Sequence, residues 1–105
     1  MVSVIGYYTT KFGELWEKSL FDLVKEAIFG VLKNAEIELE RIEGIFFANM
    51  LAGVLENNLH TGAKIAEILK INIPIFRVEA ACASGGVAIY LAKNYLDSGV
   101  AKTVM

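Results

Sequence analysis

Short apolar runs and segments of helical period alternate along this chain, and that alternation narrows its possible folds more than any other feature. Residues 2–8 are rich in β-branched and aromatic side chains, which predicts a strand. Residues 9–17 are mixed, with Gly13 as a turn signal. Ser19 opens a helix whose Leu20, Leu23, Val24, Ala27, Ile28, Val31 and Leu32 recur at the i, i+3, i+4, i+7 spacing of one buried face. Asp22, three residues after Ser19, makes a capping-box-like start and suits the positive end of the helix dipole. Residues 36–41 form a charged connector. Residues 42–50 are apolar on both faces, as a strand inside a parallel sheet is. A second helix is expected from about Thr61 to Leu69, with Ile65, Ala66, Ile68 and Leu69 on its apolar side. Pro74 disfavours helix continuation and introduces a third strand at residues 75–79. A third helix carries Val87, Leu91 and Tyr95 on one side, and Gly99 is its stop signal. Residues 102–105 read as the first residues of a fourth strand, inside which the chain ends. The order β-α-β-α-β-α-β predicts an α/β layered fold with a mostly parallel sheet.

Composition limits the function classes. The 105 residues suit one small domain. Counting Gly and leaving out Tyr, about 60% of them are apolar, against roughly 45–50% in an ordinary soluble domain. That excess over what a free-standing unit needs points to a partner, a dimer or a missing remainder. Ten Lys and Arg face twelve Asp and Glu in a scattered pattern with a net charge of −2. Without a basic cluster, nothing argues for nucleic acid as a partner. One cysteine and one histidine exclude an internal disulfide and the common four-ligand zinc sites, so no metal is expected. No apolar stretch approaches the ~20 residues that span a bilayer, so no membrane partner is expected. No charged region followed by a long apolar run opens the chain, and the expected location is cytoplasmic. Dinucleotide and P-loop fingerprints are missing after every predicted strand.

The informative stretch is Val78-Glu79-Ala80-Ala81-Cys82-Ala83-Ser84-Gly85-Gly86. It places the lone cysteine between the end of a strand and the start of a helix. Unpaired N–H groups and the positive dipole end at such a position favour a thiolate, the nucleophile of acyl transfer. The small neighbours leave room for a thioester. The backbone of Ala83, Ser84 and Gly85 is the candidate support for a developing oxyanion. The alternative is a structural cysteine among small residues that allow close helix–sheet packing. Glu79 has two readings, a hydrogen bond under the cysteine loop or a polar residue at a dimer interface. Ser84 is a candidate cap for the third helix. Phe46, Phe47 and Phe76 read as core, and His60 reads as a helix-end residue.

The same string resembles the nucleophile motif of the thiolase superfamily, on its archaeal and bacterial acetyl-CoA acetyltransferase branch, related to the sterol-carrier-protein thiolases. Thr10-Lys11-Phe12-Gly13 resembles the family's T-K-F-G segment. Residues 42–50 followed by Ala52-Gly53 resemble its second strand, and His60-Thr61-Gly62-Ala63 the start of its second helix. The likeness is collinear from about Val4 to Met105. Tyr8 departs from it, standing where the family has a glycine.

The resemblance implies an incomplete N-terminal half of a thiolase-like fold, a three-layer βαβαβαβ arrangement with a mostly parallel sheet. It implies Cys82 as acceptor of an acetyl group from acetyl-CoA, for Claisen condensation to acetoacetyl-CoA or the reverse thiolysis. Coenzyme A thioester is then substrate, with no tightly bound cofactor. The setting implied is lipid metabolism and the mevalonate pathway. A homo-oligomer is implied, with the strand before the nucleophile at a dimer interface. Hydroxymethylglutaryl-CoA synthase and a small acyl-CoA-binding accessory subunit are implied partners. The family also uses an activating histidine and a second catalytic cysteine, which this chain does not supply. The isolated chain is therefore expected to be inactive. Two other readings stand: a non-catalytic truncated module or partner-dependent subunit, and another condensing enzyme of the ketoacyl synthase or hydroxymethylglutaryl-CoA synthase type.

Overall fold

A computed structural model describes residues 1–105. The chain divides into two compact units, Ser3–Arg41 and Ile42–Met105, the second joined by Met1–Val2.

The first unit is built on α1, Leu20–Ala35. Its start is the capping box expected from the sequence. The Asp22 N–H donates to the Ser19 hydroxyl and the Ser19 N–H to the Asp22 carboxylate, satisfying two otherwise orphaned donors. Val24, Ile28 and Leu32 are its buried positions, a subset of the predicted stripe. The helix ends where Glu36 turns left-handed, at φ 56°, and Ile37 donates back to Leu32. A 3-10 turn, Leu39–Arg41, completes the unit.

The predicted strand at residues 2–8 forms no ladder. The Tyr7 N–H donates to the Asn34 side chain. A β-carbon on Gly6 would meet Ala35, and one on Gly30 would meet the Tyr8 ring. Residues 6–8 thus lie against α1, and their backbone is not shared with another strand. Strand propensity is realised only when an edge is available to pair with.

In the second unit β1, Ile45–Ala48, pairs in parallel with β2, Ile75–Val78. The register joins Ile45 to Ile75, Phe46 to Phe76, Phe47 to Arg77 and Ala48 to Val78. Between the strands come a short helix, α2 (Ala52–Leu55), and α3 (Thr61–Leu69). After β2 comes α4, Ser84–Asp97. The sheet alternation sends Phe46 and Phe76 to one face, where Tyr95 of α4 lies edge-on with centroids 5.6 and 6.0 Å away. Ile75 points to the opposite face, where α3 approaches so closely that a β-carbon on Gly62 would lie 3.5 Å from its side chain. Helices on both faces of a parallel pair make this an α/β layered unit, as the sequence predicts. Its core includes Ile42, Ile45, Ala52, Ile65, Val78, Ala88 and Ala101.

The other edge of β1 is taken by the C-terminal residues. Glu43 N–H donates to the Thr103 carbonyl at 2.9 Å, Met105 N–H to Gly44 at 3.0 Å and Phe46 N–H to Met105 at 2.7 Å. These bonds are what a parallel neighbour makes, over too few residues to count as a regular strand. The predicted fourth strand is not formed as a strand; only these three backbone bonds lie where it is expected. No helix is long and apolar enough to cross a membrane.

Candidate active site

β2 ends at Val78, and α4 begins at Ser84 after a turn of five residues. Within that turn Ala81 has φ 49°. A left-handed conformation costs an alanine roughly 1–2 kcal/mol because its β-carbon crowds the following carbonyl. Glu36 and Lys70, also left-handed, are the terminal caps of α1 and α3, where this conformation is the usual helix ending. Ala81 is no such cap. It lies one residue before Cys82, which is an exposed free thiol.

Side chains hold this turn. The Ala80 N–H donates to Ser84 Oγ at 2.9 Å, and the Ser84 hydroxyl donates to the Ala81 carbonyl at 2.6 Å. The Ala81 N–H donates to the Glu79 carboxylate. Of the two readings of Glu79, the hydrogen bond under the cysteine loop is the one observed. Ser84 is buried, and its hydroxyl faces back into the turn. The expectation that it caps α4 fails: the N-cap is Ala83, with no side-chain capping bond.

The backbone donors divide in an orderly way. Ala83 N–H is used on the Ala80 carbonyl at 2.9 Å, and Ser84 N–H on the Ala81 carbonyl at 3.2 Å. The N–H groups of Cys82, Gly85 and Gly86 have no acceptor in the chain. Gly85 and Gly86 are exposed, and a β-carbon on either would meet nothing within 4 Å. An exposed thiol thus lies in the same turn as unpaired helix-head donors, a setting in which backbone N–H groups can bind a negatively charged oxygen.

His60 stands elsewhere. It is the N-cap residue of α3, makes no capping bond with its side chain, and lines a small cavity with Asn57, Asn58, Leu59, Ala63, Lys64 and Glu67. None of those residues belongs to the Cys82 turn. No three His, Cys, Asp or Glu side chains converge as a metal site would require. A larger groove of about 660 Å³ runs between Phe46, Phe76 and Tyr95, with Glu79 and Val87 among its lining residues.

Comparison with known proteins agrees with the motif. The thiolase N-terminal domain family matches residues 2–105. The chain is 42% identical over 105 residues to an acetyl-CoA acetyltransferase of Methanocaldococcus jannaschii, covering 99% of this chain and 27% of that protein. It is 43% identical to the acetyl-CoA acetyltransferase of Methanothermobacter thermautotrophicus, covering 98% of this chain and 28% of the relative. A non-specific lipid-transfer protein-like 2 of Caenorhabditis elegans is 30% identical, over 99% of this chain and 25% of its own length. The chain spans about a quarter of the length of these relatives. It belongs to the thiolase family and matches an N-terminal portion of it.

Proposed function

We propose that Cys82 is the acyl acceptor of a thiolase-type acetyl-CoA acetyltransferase. The observation that carries this reading is the exposed thiol on a strained strand-to-helix turn, beside unpaired N–H groups of Cys82, Gly85 and Gly86. Cys82 Sγ forms a bond to the acetyl carbonyl carbon of acetyl-CoA. The carbon–sulfur bond to coenzyme A breaks, and the coenzyme leaves as a thiol carrying the proton from Cys82. A second acetyl-CoA then loses a proton from its methyl carbon to the second cysteine acting as base, and that proton later returns to the Cys82 thiolate. The resulting carbanion attacks the acetyl-cysteine, giving acetoacetyl-CoA and restoring the thiolate. Thiolysis runs the same steps backwards.

Gly85 N–H is the free donor for the oxyanion, while Ala83 and Ser84 spend theirs on the turn. The activating histidine and the second cysteine are supplied from outside these 105 residues, which contain one of each residue type and place His60 at the head of another helix. We read the chain as the N-terminal portion of the catalytic assembly, working as a homo-oligomer on coenzyme A thioesters. β2, paired only through β1, offers its other edge to a second copy. The test is Cys82→Ser in the assembled enzyme. Acetyl transfer from acetyl-CoA is lost with the fold intact; retained transfer overturns the assignment.

A further inference from the structure

We propose that Ser84 and Glu79 are positioning residues that hold Ala81 left-handed and thereby present Cys82 at the head of α4. This rests on the reading of Cys82 as the acyl acceptor. Three polar groups of the turn are bound by these two side chains: Ala80 N–H and Ala81 C=O by Ser84, and Ala81 N–H by Glu79. The two side chains come from opposite ends of the turn. Glu79 directly follows β2, and Ser84 is the first, buried residue of α4. The clamp therefore ties strand end to helix start across the residue that pays for the turn's geometry.

The direction of the Ser84 hydroxyl is the telling detail. A serine at the head of a helix ordinarily accepts from the N–H groups one turn on. Here Oγ accepts from Ala80, behind it, and leaves Gly85 and Gly86 uncapped. One side chain thus secures the strained conformation without occupying the donors beside the thiol. Ser84 and Glu79 act through Ala81 and touch no reacting atom.

The test follows acetylation of Cys82 by acetyl-CoA in the assembled enzyme, read by mass on the peptide that carries it. Ser84→Ala slows the step about tenfold or more at saturating acetyl-CoA, as expected for a misplaced nucleophile, with the half-saturating concentration unchanged. Ser84→Thr, which keeps the hydroxyl, stays within about threefold of the parent, because the clamp's hydrogen bonds survive. Combining Ser84→Ala with Ala81→Gly shrinks the loss to about threefold, since glycine adopts this conformation without strain. Parental speed in Ser84→Ala overturns the proposal. So does equal slowing in the alanine and threonine variants with no rescue by Ala81→Gly, which would be a packing effect. Should Ser84→Ala fail to fold, Glu79→Ala at an exposed position reads the same clamp, and parental speed there overturns it. The Cys82→Ser control separates the two failures: transfer that survives it removes the acyl-acceptor reading, and transfer that it abolishes leaves the clamp to be judged by the other variants.

Discussion

Gly62 of α3 approaches the carbonyl of Ile75 so closely that a β-carbon on it would lie 2.8 Å from that oxygen. The obstructing atom is backbone, held in the strand that pairs with β1, so it cannot swing aside. Gly62→Ala therefore destabilises the protein. Overpacking costs about 1–3 kcal/mol, and the gain in helix propensity returns about 1 kcal/mol. Urea unfolding shows a lower midpoint; a midpoint at or above the parent's refutes this account of helix–strand contact.

The capping box at the head of α1 makes a pH prediction. The Ser19 backbone N–H foremost, and the Ser19 side chain after it, hold the Asp22 carboxyl below its ordinary value of 3.8. A carboxylate depressed on folding stabilises above its unfolded value and loses that contribution as the pH falls through its lower folded value. Helicity of the parent should drop more steeply below pH 4 than that of Asp22→Asn, which has no such proton to take up. Parallel acid profiles would contradict the linkage. Independently, Ser19→Ala costs about 1 kcal/mol.

Ile65 is 1% exposed and anchors α3. Ile65→Ala removes its packing and leaves a cavity, a loss of about 2–5 kcal/mol. The thermal midpoint falls accordingly, and an unchanged midpoint would mean that α3 does not form part of the cooperative core.

Cys82 should react with iodoacetamide at neutral pH faster than a cysteine in an unstructured model peptide, as the acyl-acceptor reading of this exposed thiol requires. As the only cysteine in the chain, it gives a single labelled peptide. Labelling no faster than the peptide supports the non-catalytic module instead.

Much of this fold was legible because local chemistry and tertiary environment agree. The helix starting after Ser19 and the one from Thr61 to Leu69 follow their apolar period and their caps. The strands at Ile45 and Ile75 lie inside the predicted apolar runs. Residues 2–8 misled because a strand is completed by a neighbour, and propensity says nothing about which edge is free. The short helix at Ala52 was missed, although Asn49 accepts the Ala52 N–H at 2.7 Å and an Asn three residues ahead is a usable signal. At the site, the cysteine and its small neighbours stood out by type. The left-handed Ala81 did not, since nothing about alanine announces that conformation. Ser84 was noticed for the wrong bond: its direction depends on the strained residue.

The edge-on stack of Tyr95 on Phe46 and Phe76 has a practical consequence for watching this protein fold. Trp16 is its only tryptophan and is 86% exposed, so its emission already resembles that of an unfolded chain. Tryptophan fluorescence will be nearly silent across the transition. Near-ultraviolet circular dichroism reports the asymmetric packing of Tyr95 against the two phenylalanines, and with it the assembly of the sheet that carries Cys82.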